Sequence, residues 1–133
     1  LATEADSLTA TFCVRSSLGS QKEMLHRRLR ALMAQLSGTV TITGDYPAWE
    51  YRQDSPFRDL MTEIFWEQYG SAPQIEAIHA GVECGILAGK LPGLDCVSIG
   101  PNLLDIHTPR ERMEIASVQR VWQFVLEVLK RSK

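Results

Sequence analysis

Apolar residues recur at spacings of three and four in three segments of the chain, and this periodicity predicts three amphipathic helices. The first extends over about 20–36, the second from 56 to the residue before Gly70, and the third over about 115–130. The stripe of the first helix consists of Leu25, Leu29, Leu32 and Leu36. The apolar face of the third helix is broad, which predicts that this helix is deeply buried.

The starts of the first two helices carry capping residues. Ser20 is followed three residues later by Glu23, the spacing of a capping box. Ser55 precedes Pro56, and proline is favoured at the first position of a helix because it has no N–H to satisfy. We therefore expect Ser20 and Ser55 to be the N-caps of these helices.

Between the helices, short runs of β-forming residues predict strands at 8–16, 39–43, 74–78 and 95–99. A glycine-rich stretch over 81–89 predicts a short helix, and 100–114 a polar loop. Strands that alternate with helices are typical of an α/β fold, and we predict that class here. The first 50 or so residues are strand, helix and strand, and the turn residues before Pro56 indicate a weak boundary after them.

Composition places the 133-residue chain among ordinary globular proteins, with 44% hydrophobic and 23% charged residues. The net charge of −2 gives no basic footprint for nucleic acid. No apolar run approaches the roughly 18–20 residues that span a bilayer. Three dispersed cysteines favour reduced thiols in the cytoplasm over a disulfide framework. The chain starts with Leu1, so we expect that it begins inside a longer protein.

Two histidines stand where chemistry is possible. His107 lies in a polar loop after a predicted buried strand, a position where open α/β sheets bind ligands. It could bind a metal, but metal sites need several ligands, so spacing alone favours a histidine that hydrogen-bonds the backbone. His79 precedes Gly81, which would let the backbone approach a ligand closely, although a partly buried structural histidine fits as well.

Two charged residues also have alternative interpretations. Arg15 ends an apolar strand, where it could hold a carboxylate in bidentate fashion or be an ordinary exposed strand-end arginine. Glu83 lies between glycines, where it could act as an acid or base or favour a helix start. His26, among arginines of the first helix, is expected to be solvated.

Four motifs, in order along the chain, resemble the C-terminal part of aminoacyl-histidine dipeptidases. These enzymes, also called Xaa-His or β-alanyl-histidine dipeptidases, are part of the two-zinc superfamily of aminopeptidases, carboxypeptidases and deacylases. The motifs are DYPAWEYR at 45–52, AIHAGVECG at 77–85, PGLDCVSIGP at 92–101, and DIHTP at 105–109 with ERM at 111–113. The resemblance covers most of the chain.

The resemblance implies a domain division and roles for three residues. Residues 1–53 would be the C-terminal half of a lid domain, and 54–133 the C-terminal part of the catalytic domain. His107 matches the last zinc ligand of the family, and Arg15 the lid arginine that holds the C-terminal carboxylate of the substrate. Gly81 matches a glycine whose backbone lines the substrate pocket.

The remaining catalytic groups of the family have no counterpart here. Its other zinc ligands, its general-base glutamate and a lid histidine match no segment of this chain. We therefore expect the C-terminal part of a cytoplasmic dipeptidase that hydrolyses Xaa-His dipeptides with two zinc ions. The chain alone should be inactive, and its incomplete sheets should favour a homo-oligomer. The alternative is a non-catalytic interaction or regulatory module that keeps the peptidase fold.

Overall fold

The computed structural model describes residues 2–4, 6–78 and 83–132. Helices dominate, and the strands are short and pair in two antiparallel hairpins. In chain order the elements are β1 (Ala2–Glu4), β2 (Ser7–Thr9), α1 (Gly19–Gln35), α2 (Pro56–Tyr69), α3 (Glu83–Lys90), β3 (Leu103–Leu104), β4 (Arg112–Met113) and α4 (Ile115–Arg131). This mixture of helices and strands agrees with the predicted α/β class.

Two compact units make up the chain. One groups Leu1–Tyr51 with Ala77–Pro92, and the other groups Arg52–Glu76 with Gly93–Lys133. The division after Tyr51 lies close to the boundary predicted from the turn residues, but 77–92 group with the earlier part of the chain. The assignment of 1–53 to a lid and of 54–133 to a catalytic domain stays a prediction.

In the first unit, residues far along the chain hold the start of α1. The backbone N–H of Gly19 donates to a carboxylate oxygen of Glu50 at 2.8 Å. Lys22 forms an ion pair with Asp45 at 2.5 Å, donates to the carbonyl of Tyr46 and lies over the Tyr46 ring. The expected Ser20 cap is wrong, because the helix begins at Gly19 and its N-cap residue, Leu18, lies two residues before Ser20 and makes no side-chain capping bond.

Burial on α1 also differs from the prediction. The leucines of its apolar stripe are mostly exposed, with Leu32 52% and Leu36 67% accessible, whereas His26 is buried. The helix therefore turns a different side toward its own unit than its leucine periodicity indicates. The prediction that His26 is solvated is wrong, since sequence pattern cannot show which face finds a neighbour.

Two glycines let α3 approach the segment around Pro47. A Cβ atom added at Gly85 would lie 3.1 Å from the Pro47 carbonyl oxygen and 3.3 Å from the Cβ of Trp49. One added at Gly89, one turn later, would lie 2.7 Å from the Pro47 ring. A side chain at position 89 would therefore force the Pro47 ring to shift, whereas one at position 85 would be a tight contact that needs a small adjustment of its neighbours.

The second unit is built on the packing of α2 against α4. The buried apolar side chains of its core are Met61, Ile64, Phe124 and Val128, and the Phe65 ring meets that of Phe124 edge-on at 5.8 Å. At the rim, the Arg131 guanidinium binds both carboxylate oxygens of Glu67, so that an ion pair joins the two helices. The core is small, and each of its side chains matters correspondingly for stability.

A remote carboxylate anchors the start of α2. Asp95 accepts the Ser55 hydroxyl at 2.7 Å and the Phe57 N–H at 3.0 Å, while the Ser55 oxygen accepts the Arg58 N–H at 3.2 Å. Partial burial by itself would raise the pKa of the Asp95 carboxyl group. The hydrogen bonds from Ser55 and Phe57, helped by two nearby arginines, outweigh it and place the pKa below its usual value. The predicted Ser55 cap and the Gly70 stop, with φ 66°, are confirmed.

A network at the start of α4 fixes the β3–β4 hairpin. The N–H of Asn102 donates to the Ser117 hydroxyl oxygen at 2.9 Å, and that hydroxyl donates to the carbonyl of Glu114 at 2.6 Å. The Glu114 carboxylate accepts the Asn102 side-chain amide at 2.7 Å and Arg120 at 3.0 Å, and these bonds lower the pKa of Glu114. Ser117 is buried, so the hydrogen bonds that join the hairpin to the start of α4 are shielded from solvent.

All four predicted strands differ from the structure. Residues 39–43, 74–78 and 95–99 carry no regular secondary structure, and only the beginning of 8–16 is in a strand. A strand needs a neighbour to take its backbone hydrogen bonds, and within the described residues these segments are not paired into a sheet.

The predicted deep burial of α4 is also wrong. Only one side of the helix packs on α2, and Ile115 is 84% and Trp122 62% exposed. Among the described residues, no helix has the length and apolar character needed to cross a membrane.

We predict that Asp95→Asn destabilises the protein by about 1 kcal/mol at pH 7, because a helix N-terminus loses a charged hydrogen-bond acceptor. The folded pKa of Asp95 is lowered, so its stabilisation is complete above the unfolded value of about 3.9. It is lost as the pH falls through the lowered folded pKa. Urea unfolding of wild type and variant at several pH values measures the difference.

The matched control is Asp59→Asn, which removes a carboxylate from the first turn of the same helix. Equal losses from Asp59→Asn and Asp95→Asn would contradict a specific role for Asp95. A difference between wild type and Asp95→Asn that persists unchanged at pH 2 would do so too.

Candidate functional site

The loop between β3 and β4 carries His107 and is held by its own hydrogen bonds. Thr108 donates both its N–H, at 3.2 Å, and its hydroxyl, at 2.7 Å, to the Asp105 carbonyl. The Asp105 carboxylate forms an ion pair with Arg112 on β4 at 3.0 Å. The Glu111 N–H donates to the Thr108 carbonyl at 3.1 Å. The seven-residue connection is thus an internally hydrogen-bonded loop. The polar loop predicted over 100–114 is shorter than expected, because β3 and β4 lie within that range.

Two loop residues adopt left-handed backbone conformations. Asp105 has φ 53° and His107 has φ 64°, a region that costs an ordinary L-residue of order 1–2 kcal/mol. The N–H of His107 donates to the Glu111 carboxylate at 2.8 Å. These bonds keep His107 in a conformation that the chain would otherwise avoid, and strain of this kind is concentrated at functional sites.

The His107 side chain is exposed, and its imidazole makes no hydrogen bond within the described residues. An accessible imidazole on a fixed loop fits the requirement for one zinc ligand, since zinc is commonly bound by neutral histidine nitrogen. A complete site needs more. Nowhere in 2–4, 6–78 and 83–132 do three histidine, cysteine, aspartate or glutamate side chains come together as a metal site.

Arg15 lies in the first unit, in the segment between β2 and α1. Its side chain is exposed, and its Nε donates to the sulfur of Cys13 at 3.3 Å. The Cys13 sulfur, mainly through this hydrogen bond, raises the pKa of Arg15. Like any arginine, it is positively charged at physiological pH. The Cys13 contact uses only Nε and leaves its two terminal nitrogens for other partners. Such a group can bind a carboxylate with two parallel hydrogen bonds.

The other sequence candidates are only partly covered. Gly81 and His79 lie outside the described residues, so their proposed roles stay predictions. Glu83 is exposed in the first turn of α3, where a carboxylate favours the helix dipole. This placement fits the structural interpretation of Glu83. Arg15 belongs to the first unit and His107 to the second.

Comparisons with known proteins match the chain to dipeptidases. The cytosol non-specific dipeptidase of Escherichia coli (strain K12) is 36% identical over 118 residues, which are 88% of this chain and 24% of that protein. The crystal structure of aminoacylhistidine dipeptidase from Vibrio alginolyticus matches with a TM-score of 0.74 and 30% identity, over 86% of this chain and 24% of that one.

The chain is homologous to part of these dipeptidases. The resemblance seen in the sequence motifs is therefore confirmed, and so is the α/β class. No protein-family model matches the chain. The chain spans about a quarter of the length of the two dipeptidases it matches.

Sequence reasoning missed the supporting residues of the site. Glu111 was visible only as a member of a family motif, although its spacing of four from His107 allows a local side-chain-to-backbone bond. The pairing of Asp105 with Arg112 could have been expected from a hairpin, but 100–114 was predicted as a loop. The Cys13 contact of Arg15 had a signal too, because alternate residues of an extended segment share a side.

Proposed function

We propose that this chain is the C-terminal part of a zinc-dependent dipeptidase that cleaves Xaa-His dipeptides. The observation that carries the proposal is the fixed loop that presents His107, in a chain homologous to part of two dipeptidases. The substrate class is supported by the name of the Vibrio alginolyticus protein, an aminoacylhistidine dipeptidase. The name of the Escherichia coli protein, a non-specific dipeptidase, supports broader specificity as the alternative.

His107 would supply one ligand of a two-zinc site, and the rest would come from protein outside these 133 residues. Bound zinc supplies an activated water and polarises the peptide carbonyl, the two effects that metallopeptidases require. What this chain contributes is an imidazole of fixed backbone position. Two hydrogen bonds limit how far the ligand can move: the His107 N–H donates to the Glu111 carboxylate, and the Thr108 hydroxyl donates to the Asp105 carbonyl.

Arg15 would bind the C-terminal carboxylate of the substrate. An arginine is charged at every physiological pH, and the Cys13 contact uses only its Nε, so its two terminal nitrogens can make the bidentate bond. Gly81 would line the same substrate pocket with its backbone, as the resemblance implies. A dipeptide differs from a longer peptide in having its free carboxylate one residue from the cleaved bond, so such an arginine would select for chain length.

The setting of the enzyme is part of the proposal. A location in the cytoplasm is supported by the word cytosol in the name of the Escherichia coli relative. Association into homo-oligomers is supported by the many large apolar side chains that are exposed in the described residues, among them Ile115 and Trp122. The alternative, a non-catalytic interaction module, is supported by the lack of a complete metal-ligand group in the same residues.

We predict that His107→Ala in the full-length enzyme lowers bound zinc and nearly abolishes hydrolysis of β-alanyl-histidine. The physical reason is the loss of one of the few ligands that hold the metal. Metal content by atomic absorption and histidine release measure the two effects. The control is Arg110→Ala, which removes an exposed side chain from the same loop and should leave both near wild type. Two zinc ions per chain with full activity in His107→Ala would contradict the assignment.

We predict that Arg15→Ala reduces kcat/KM for a dipeptide by more than tenfold, through loss of a charged bidentate contact. The same dipeptide with an amidated C-terminus should be affected little, because it offers no carboxylate. Arg28→Ala, on the exposed side of α1, is the matched control for removal of a positive charge. Equal losses on both substrates would count against the role of Arg15. Comparing β-alanyl-histidine with a dipeptide that lacks histidine decides between narrow and broad specificity.

We predict that the 133 residues alone, supplied with zinc, release no histidine from β-alanyl-histidine. Zinc catalytic sites use about three protein ligands, and one imidazole cannot hold the metal in place. The full-length enzyme under the same conditions is the positive control. Turnover by the isolated chain that a chelator abolishes would overturn the prediction. Absence of turnover from the full-length protein as well would favour the interaction module.

A further inference from the structure

We infer that Glu111 is a positioning residue for His107: its carboxylate fixes the backbone from which the imidazole reaches the metal. The inference rests on the proposed function, in which His107 is a zinc ligand. Nothing in the resemblance or in the comparisons gives Glu111 a role. The contact that carries it is the hydrogen bond from the His107 N–H to the Glu111 carboxylate, 2.8 Å long.

This hydrogen bond holds His107 in a left-handed backbone conformation. His107 has φ 64°, and without a local hydrogen bond the chain would relax toward negative φ. Such a change would swing the Cα–Cβ bond of His107 and carry the imidazole away from its present direction. A metal site tolerates only small errors in ligand position, so the direction of this bond affects zinc affinity directly.

The rest of the loop braces Glu111 itself. Its N–H donates to the Thr108 carbonyl at 3.1 Å, and Thr108 is bonded through its hydroxyl to the Asp105 carbonyl. Asp105, the other left-handed residue, is tied to Arg112 across the hairpin. These bonds restrict the backbone conformations that Glu111 can adopt. Its carboxylate accepts from His107, which is only four residues away in the sequence.

The Glu111 carboxylate accepts the main-chain N–H of His107 and makes no bond to its ring. Residues that support metal-bound histidines usually accept the second ring N–H, which sets the tautomer. Glu111 instead sets the backbone torsion and leaves both ring nitrogens accessible in this loop. An amide oxygen can accept a backbone N–H as a carboxylate does, so Glu111→Gln should preserve the function. A carboxylate that bound the metal itself would not be replaced in this way.

The test uses the metal-free full-length enzyme with four variants: Glu111→Ala, Glu111→Gln, His107→Ala and, as a loop control, Arg110→Ala. Zinc affinity is measured by competition with a chromophoric chelator. Exchange of the His107 amide hydrogen is followed by NMR without metal. Glu111→Ala should weaken zinc binding by about 10–100-fold, the usual effect of removing a ligand's support. It should also speed exchange of the His107 amide, whereas Glu111→Gln and Arg110→Ala stay near wild type.

The failures of the two proposals can be told apart. If His107→Ala weakens zinc binding and Glu111→Ala does not, the positioning role is overturned and the proposed function stands. If neither variant changes zinc affinity, His107 is no ligand, and both proposals fall. If Glu111→Gln loses as much affinity as Glu111→Ala while its His107 amide stays protected, Glu111 acts as a ligand and the positioning role is overturned.

Discussion

One carboxylate, that of Asp95, joins the start of α2 to the segment that leads to the β3–β4 hairpin. A helix N-terminus leaves N–H groups without partners, and a partly buried one must find acceptors within the protein. Asp95 supplies two bonds, to Ser55 and to Phe57, from a segment about 40 residues further along the chain. Since residues 95–99 have no sheet to hold them, this contact fixes where the segment leading to the β3–β4 hairpin begins.

From that point the position of His107 follows through a short series of contacts. Val97 packs against the core formed by α2 and α4, and Asn102 is bonded to the buried Ser117 and to Glu114 at the start of α4. These bonds hold the hairpin at the N-terminus of α4, and the residues of its loop are hydrogen-bonded to one another. A hairpin that is held at its base and has a hydrogen-bonded loop can keep one metal ligand in a fixed position.

Large apolar side chains are exposed in both units. The core of the second unit has four buried apolar side chains, whereas one side of α4 and the leucines of α1 face solvent. Apolar surface of this kind is typical of protein that contacts further protein. In a chain of about a quarter of the length of its dipeptidase relatives, it agrees with the proposal that these residues work as part of a larger enzyme.

Sequence by itself determined the helices and the resemblance. The spans of α1, α2 and α4 were predicted within a few residues because helix hydrogen bonds are local and the apolar spacing of three and four is a direct signal. The Ser55 cap and the Gly70 stop were predicted for the same reason. The four motifs, taken together and in order along the chain, identified the dipeptidase resemblance that the comparisons confirm.

Only tertiary structure decided the rest, because those features depend on residues distant in sequence. Glu50 holds the start of α1 over 31 residues, and the burial of His26 depends on which face of the helix meets a neighbour. The segments 39–43, 74–78 and 95–99 have strand-forming composition, but a strand exists only when another strand takes its hydrogen bonds. The conformation of His107 lies between these cases. Its partner Glu111 is four residues away and the hairpin that closes the loop is local, but strands of two residues are too short to give an alternating sequence pattern.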